Sequence, residues 1–345
     1  MTIESLFDIR FPVLQAPMAG AQDHRLAVAV SQSGGLGAIP AGMLDAPRLD
    51  AELSAYRALT NRPCNVNFFC HQPPLIDDAR EQGWRERLAG FYRELQVDTA
   101  QVAHGPSRQP FDAAMAQVIE KHRPAVVSFH FGLPAEDLLE RVRRSGAKII
   151  ASATTLAEGL WLQEHGVDAV IAQGLEAGGH RGMFLDTDLS TQLGTFALLP
   201  QLVDALQVPV IAAGGIVDAR TVKAARVLGA AGVQVGTAYL ASPQSQASAL
   251  HRAALQSPRA RHTVVTCAFT GRPARGIVNR LIREVGPLPE VPAFPLAGNA
   301  IAPLRARAES LGLDDFSPLW SGQNASHCRA IDAGQLTREL AHGWE

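Results

Sequence analysis

The chain has 345 residues, 47% of them hydrophobic and 19% charged, a balance that excludes a disordered chain. Lys+Arg (31) nearly equals Asp+Glu (33), for a formal net charge of −2, and without a basic footprint a nucleic-acid partner is not expected. The length exceeds the roughly 250 residues of a plain (β/α)₈ barrel, so a fold built on one needs a place for the surplus.

In chain order, apolar runs of strand length alternate with helical segments. The first strand is predicted over Phe11–Ala16, then a helix over Asp23–Gln32, a strand over Leu36–Ala41, a helix over Ala46–Ala58 and a strand over Asn65–Phe69. His71–Arg123 follows, too long for one crossover, with a helix over Phe111–Lys121 at its end. Next come strand Ala125–Phe131, helix Ala135–Ser145, strand Lys148–Ala153, helix Leu156–His165, strand Ala169–Gln173 and helix Phe196–Leu206. Strand Pro209–Ala213, helix Asp218–Leu228 and strand Gly232–Gly236 complete the alternation. Most strands are continuous apolar runs, as strands covered on both faces are. Thr155 with Glu158 three residues on and Gly166 at the end reads as a capping box and C-terminal glycine.

Eight strand–helix units imply parallel strands with right-handed crossovers, closed into a (β/α)₈ TIM barrel. The expected division is a barrel over residues 1–239, with a long insert at about 71–123. A mostly helical C-terminal substrate or lid domain would occupy 240–345. A doubly wound dinucleotide fold is disfavoured: SGGLGAIPAG lacks the third glycine of GxGxxG and precedes a strand. No GxxxxGK[ST] occurs.

Cys64, Cys70, Cys267 and Cys328 form no CxxC and fit neither a zinc site nor a disulfide framework, so no metal is expected. MTIESLFDIR has no apolar core of a signal peptide, and Val227–Leu250, the longest uncharged stretch, is broken by Gln, Ser, Pro and Gly. A cytoplasmic protein without a membrane partner, monomer or homodimer, is the expectation.

In a barrel, ligands bind at the C-terminal strand ends, with phosphate after strands seven and eight. The seventh predicted strand ends AAGGIVD and the eighth QVGTAY. Gly214, Gly215 and Gly236 let backbone N–H groups approach an anion, and Thr237 adds a hydroxyl. Other strand ends are polar: Asn67, His130, Gln173 and, within the eighth strand, Gln234. Amides there suit a flat heterocycle with alternating donors and acceptors, or bond loop backbone instead. His130 could line the pocket or support its packing, and Arg181 could attract an anion or lie solvated.

PVLQAPMAG, GGLGAIPAG, NVNFF, VVSFHFGLP, GLEAGGHRG, PVIAAGGI and GVQVGTAY together resemble the nitronate monooxygenase family, formerly 2-nitropropane dioxygenases. FTGRPARGIVNRL and SPLWSGQ extend the resemblance to about Gln323. The resemblance implies FMN as cofactor. Pro17, Met18 and Ala19 would line the flavin, and Asn67 and Gln173 would address its ring or ribityl chain. Gly178, Gly179, Gly214, Gly215, Gln234, Gly236 and Thr237 would enclose its phosphate, and His180 would be the active-site histidine. The implied chemistry is oxidation of an alkyl nitronate, propionate 3-nitronate among them, by O₂ to a carbonyl compound and nitrite, with one-electron transfer through the flavin. An FMN-dependent NAD(P)H:quinone or enoyl-thioester reductase, or a non-catalytic flavin-binding protein, stays open. The chain departs from the family pattern in FPLAGNAIAPL, where Phe294, Gly298 and Ala302 stand in place of Tyr, Tyr and Lys. Phe294 is therefore a candidate for the substrate pocket.

Overall fold

The computed structural model describes residues 2–103, 105 and 108–345. Eight parallel strands form the central sheet: β1 (Val13–Gln15), β2 (Gly37–Pro40), β3 (Cys64–Phe69), β4 (Val126–His130), β5 (Lys148–Ala153), β6 (Ala169–Gln173), β8 (Val210–Ala213) and β9 (Gly232–Val235). A two-residue strand, β7 (Gly179–His180), lies outside it. The order is β1-β9-β8-β6-β5-β4-β3-β2. A parallel bridge between Leu14 and Leu36 joins the two ends, with Gln15 N–H donating to the Leu36 carbonyl at 2.9 Å. The sheet is the predicted TIM barrel, and every predicted strand lies within two residues of its observed ends.

The two-residue period of a strand sets which side chains enter the barrel. In β4, Val127 and Phe129 face outward into the layer shared with the helices. Val126 turns inward at the base, where Ile150, Ile171 and Ile211 from β5, β6 and β8 meet it. A short N-terminal helix, Ile3–Phe7, closes that base with Ile3 and Phe7. Two and four residues further along the same inward rows stand Ser128 and His130 (β4), Ser152 (β5), Gln173 (β6) and Ala213 (β8). The barrel interior is thus apolar at its base and largely polar at its C-terminal mouth.

The surplus packs in two directions across the boundary expected at 239/240. Within the insert, helix Asp78–Leu95 buries Trp84, Leu88, Phe91 and Tyr92 in one core with Ala297, Ala300, Ile301 and Leu304 of helix Ala297–Ser310 and with Phe269, Leu281 and Phe316. Trp84 Nε1 donates to the Ala297 carbonyl at 3.2 Å, and the Tyr92 hydroxyl donates to that of Ala300. At the other end of the chain, helix Ala333–Ala341 returns to the barrel. It packs against helices His24–Gln32 and Ala219–Val227, sends Leu336 and Leu340 into the barrel's outer core, and is tied by Thr337 to the Tyr239 hydroxyl at 2.8 Å. It packs between the barrel's first and seventh helices, so the core contacts cross the expected boundary in both directions.

This C-terminal region also contains sheet. Strands β10 (Thr263–Thr266) and β11 (Ala274–Ile277) pair antiparallel, and β11 pairs with β7 through Ala274↔His180 and Arg275↔Gly179. His180 therefore sits on a small strand held by the C-terminal region, where sequence patterning gave only a loop. A two-residue strand carries no periodic signal; only its distant partner defines it.

Candidate active site

A cavity of about 320 Å³ opens at the C-terminal mouth of the barrel, within the usual range for small-molecule sites. Its wall includes Pro17, Met18, Ala19, Asn67, His130, Gln173, Gly178, Gly179, His180, Gly214, Gly215, Gln234, Gly236 and Thr237. Ser317–Trp320, Gly322 and Asn324 of the C-terminal region close the opposite side. Phe294 stands just behind this wall, its ring centroid 5.4 Å from that of His180 and 6.3 Å from that of Phe69. Gly298 lies on helix Ala297–Ser310, and Ala302 is on its exposed face.

At one end, the backbone after β8 and β9 forms a cradle. Gly214 and Gly215 take left-handed φ of +115° and +73°, a conformation that only glycine adopts freely. A Cβ on Gly178 would fall 2.6 Å from the Gly322 nitrogen, so the two loops touch backbone to backbone. Asn324 Nδ2 donates to the Gly215 carbonyl at 2.8 Å, and Gly322 N–H donates to Thr237 Oγ1 at 3.0 Å, leaving the threonine proton to donate elsewhere. Among the described residues no acceptor takes the N–H groups of Gly215, Ile216, Gly236 or Thr237. Glu176 braces the cradle from behind by accepting from Thr195 N–H and Oγ1, both at 2.8 Å.

The middle of the cavity is set by amides. Gln22 Oε1 accepts from Met18 N–H at 3.0 Å, and Gln15 Oε1 accepts from Ala38 N–H at 2.9 Å, which fixes the turn after β1. Asn67 Nδ2 donates to Ser128 Oγ at 2.9 Å. Gln173 is engaged at both ends by the following loop: Nε2 donates to the His180 carbonyl at 2.9 Å and Oε1 accepts from Gly182 N–H at 2.7 Å. Gln234 Oε1 is buried without a partner among the described residues.

The far end holds His180. Its Nε2 lies 2.9 Å from Thr270 Oγ1, and the Thr270 hydroxyl donates to the Arg272 carbonyl at 3.4 Å. The pair shares one proton between ring nitrogen and hydroxyl, and the contact fixes the orientation of the imidazole. Burial, and then the charge of Arg108, hold His180 well below its ordinary pKa, so the ring is neutral. His130 supports it: Nε2 donates to the His180 carbonyl at 3.2 Å, and Nδ1 accepts from Ser152 Oγ at 3.2 Å. Burial pushes His130 down to about 3.

Aromatic rings surround this end. Phe131, at a left-handed φ of +72° that is strained for a bulky residue, places its ring 5.9 Å from His180 and 5.6 Å from Phe294. Arg272 stacks on Phe131 at 3.9 Å and donates to the Met183 carbonyl, while Arg108 lies over Phe294 at 5.5 Å. Arg181 is neither solvated nor turned to an anion. It is fully buried and donates to the Gly174 and Gln173 carbonyls, both at 2.7 Å, and to Gln192 Oε1 at 3.0 Å.

Several of these residues escaped sequence reasoning. Ser128 and Ser152 were available from the inward period of their strands. Thr270 lies in FTGRPARG but carries no local signal of facing His180. Arg108 has no sequence signal at all.

The buried neutral histidines set an acid limit on the fold. Burial lowers His71 to about 4, His130 to about 3 and His251 to about 4. Below pH 6.5 the unfolded chain takes up protons on these rings and the folded chain does not. Stability therefore falls as pH drops from 6.5 toward 4, by up to roughly 1.4 kcal/mol per pH unit for each ring. Urea unfolding at pH 7, 6 and 5 checks this; a flat or rising midpoint toward pH 5 contradicts it.

A family model described as nitronate monooxygenase matches residues 2–343. The chain belongs to the nitronate monooxygenase family. It is 39% identical to a nitronate monooxygenase of Pseudomonas aeruginosa over 97% of this chain and 96% of that protein. It is also 39% identical to one of Paraburkholderia phytofirmans over 97% and 92%. A solved nitroalkane oxidase of Streptomyces ansochromogenes superposes on this nitronate monooxygenase family member with a TM-score of 0.91, at 39% identity, covering 98% of this chain and 96% of the other. FabK of Thermotoga maritima superposes at 0.75 with 26% identity, covering 100% and 96%. No helix among the described residues of this family member is long and apolar enough to cross a membrane, and no cluster of three metal-ligating side chains occurs among them.

Proposed function

We propose that the chain is an FMN-dependent oxidoreductase that converts alkyl nitronates and O₂ to a carbonyl compound and nitrite. The observation that carries this reading is one cavity with acceptor-free N–H groups at one end and a neutral histidine at the other. The site fits a flavin mononucleotide. The N–H groups of Gly215, Ile216, Gly236 and Thr237, with the Thr237 hydroxyl, would hold its phosphate. Gln234 Oε1 needs a donor, and Asn67 and the turn Pro17–Ala19 would flank the ring. When bound, the flavin supplies the redox chemistry between the nitronate and O₂.

The chain's own residues supply the rest. A nitronate already carries its charge and needs no base. A neutral nitroalkane does, and His180, which lines the cavity and is oriented by Thr270, would take its α-proton. The aromatic rings exclude water from that end, and the guanidinium groups of Arg272 and Arg108 favour an anion beside His180. The insert helix and residues 241–332 would act together as the lid over this site. Four free cysteines suit a reducing, cytoplasmic location.

The test is anaerobic mixing of the purified holoprotein with a nitronate, NADH or NADPH while following flavin absorbance. Reduction by nitronate alone is the expected result. Bleaching by NAD(P)H and not by nitronate overturns the reading in favour of a reductase.

A further inference from the structure

Arg181 is a buried charge that the site chemistry leaves unused. It follows His180 directly, is fully buried and does not line the cavity. Its guanidinium donates to the Gln173 and Gly174 carbonyls at the end of β6, both at 2.7 Å, and through Nε to Gln192 Oε1 at 3.0 Å. Among the described residues no carboxylate bonds to it; Glu176 and Glu158 act on it only through space. An enclosed guanidinium held by neutral acceptors adds little stability, because desolvation offsets what the bonds return. What such a group fixes is geometry.

From Arg181 the bonds run in one direction to a carboxylate. A guanidinium only donates, so Gln192 turns Oε1 to it and Nε2 away. Nε2 donates to Thr154 Oγ1 at 3.0 Å, and the Thr154 hydroxyl donates to Glu158 Oε2 at 2.7 Å. Glu158 Oε2 also accepts from Thr154 N–H at 2.6 Å, and Oε1 accepts from Phe184 N–H at 2.6 Å. The spacing of Thr155 and Glu158 suits a capping box, but only the Thr155 half of it forms, because the carboxylate goes to Thr154 and Phe184. The chain of bonds therefore starts at the residue after His180, crosses to the end of β5 and the helix Leu156–Glu164, and returns to the same loop at Phe184. Gln192, Thr154 and Glu158 are all buried and do not line the cavity. The His180 segment is thus fastened to the barrel by groups out of reach of substrate.

We infer that the Arg181–Gln192–Thr154–Glu158 chain is a positioning network that aims His180 into the cavity, its members acting on the reaction only through that ring. This rests on the function proposed above, in which His180 serves neutral nitroalkanes. Misplacing a reacting group by about 1 Å can lower a rate by roughly 100-fold, so a network that touches no substrate can still govern turnover.

The test is a double-mutant cycle on the holoenzyme with Thr154→Val, which keeps the shape and removes the hydroxyl. Thr154→Val is expected to lower kcat for a neutral nitroalkane by about 10- to 100-fold, while turnover of a preformed nitronate stays within about threefold of wild type. In a His180→Asn background the same substitution is expected to change nitroalkane turnover by less than about twofold, since the ring it aims is already gone. Thr154→Ser, which returns the hydroxyl, is expected to recover most of the lost rate. Gln192→Leu, which cuts the chain at its middle link, is expected to repeat the pattern of Thr154→Val and decides the matter if that variant does not fold. Losses that are equal on both substrate forms, losses that persist in full beside His180→Asn, or unchanged kinetics in both variants overturn the inference alone. A His180→Asn protein that consumes nitroalkane at the wild-type rate overturns the proposed role of His180, and this inference with it.

Discussion

Replacing His180 with asparagine is expected to lower turnover of a neutral nitroalkane by about 10²- to 10⁴-fold, the usual contribution of a general base, while flavin stays bound. Asparagine keeps a polar group of similar reach at this position and removes the basic nitrogen. The same variant is expected to lose far less on a preformed nitronate, because no proton has to be taken from it. That split between two forms of one substrate separates a base from a residue that only shapes the pocket. Equal losses on both forms would make His180 a binding or packing group, and unchanged kinetics would make it a bystander. The pH profile gives a second reading. Because His180 is held well below 6.5, the acid limb of nitroalkane turnover is expected well below that value. A limb at 6.5 or above would mean that the ring is solvated or paired with an acid, in conflict with its surroundings of Arg108, Arg272 and two neutral histidines.

Gly215→Val is expected to abolish flavin retention. Gly215 has φ of +73°, which a β-branched residue adopts only with strain, and it presents its N–H at the end of β8 without an acceptor among the described residues. Its Cβ direction is not blocked: a Cβ would meet Glu176 Cβ at 3.7 Å, ordinary contact. The damage is therefore to the cradle and not to the core. Losing two hydrogen bonds to a charged phosphate corresponds to roughly 3–6 kcal/mol, or about 10²- to 10⁴-fold in affinity. Equilibrium dialysis followed by flavin absorbance measures the affinity, and circular dichroism reports whether the barrel still folds. A folded variant that retains a full complement of flavin contradicts the assignment of this loop to the phosphate.

The barrel was legible in the sequence because its signals are local. β5 and β6 occur over the predicted residues, Lys148–Ala153 and Ala169–Gln173, because a buried parallel strand is a short apolar run that needs no information from elsewhere. Asp218 and Thr155 cap their helices through bonds three residues away. The glycine pair after β8 announces its own conformation. The alternation in VVSFH already separates Val127 and Phe129, which face the helices, from Ser128 and His130, which face the mouth.

The packing across the expected boundary at 239/240 was not legible, since it depends on which surfaces meet. Helix Asp78–Leu95 has an apolar side, but nothing within it states that helix Ala297–Ser310 covers that side. The last helix carries no mark of belonging to the barrel until Thr337 meets Tyr239.

By itself, the sequence determined the strand–helix alternation, the polar strand ends and the loop that carries His180, because each is written in periodicity or turn chemistry over a few residues. Only the tertiary structure decided what His180 faces. Thr270, 90 residues away, orients its ring, β11 holds its backbone, and Phe294 and Arg108 lie beside it. Those contacts join segments distant along the chain, and their geometry arises from packing, which no local pattern encodes.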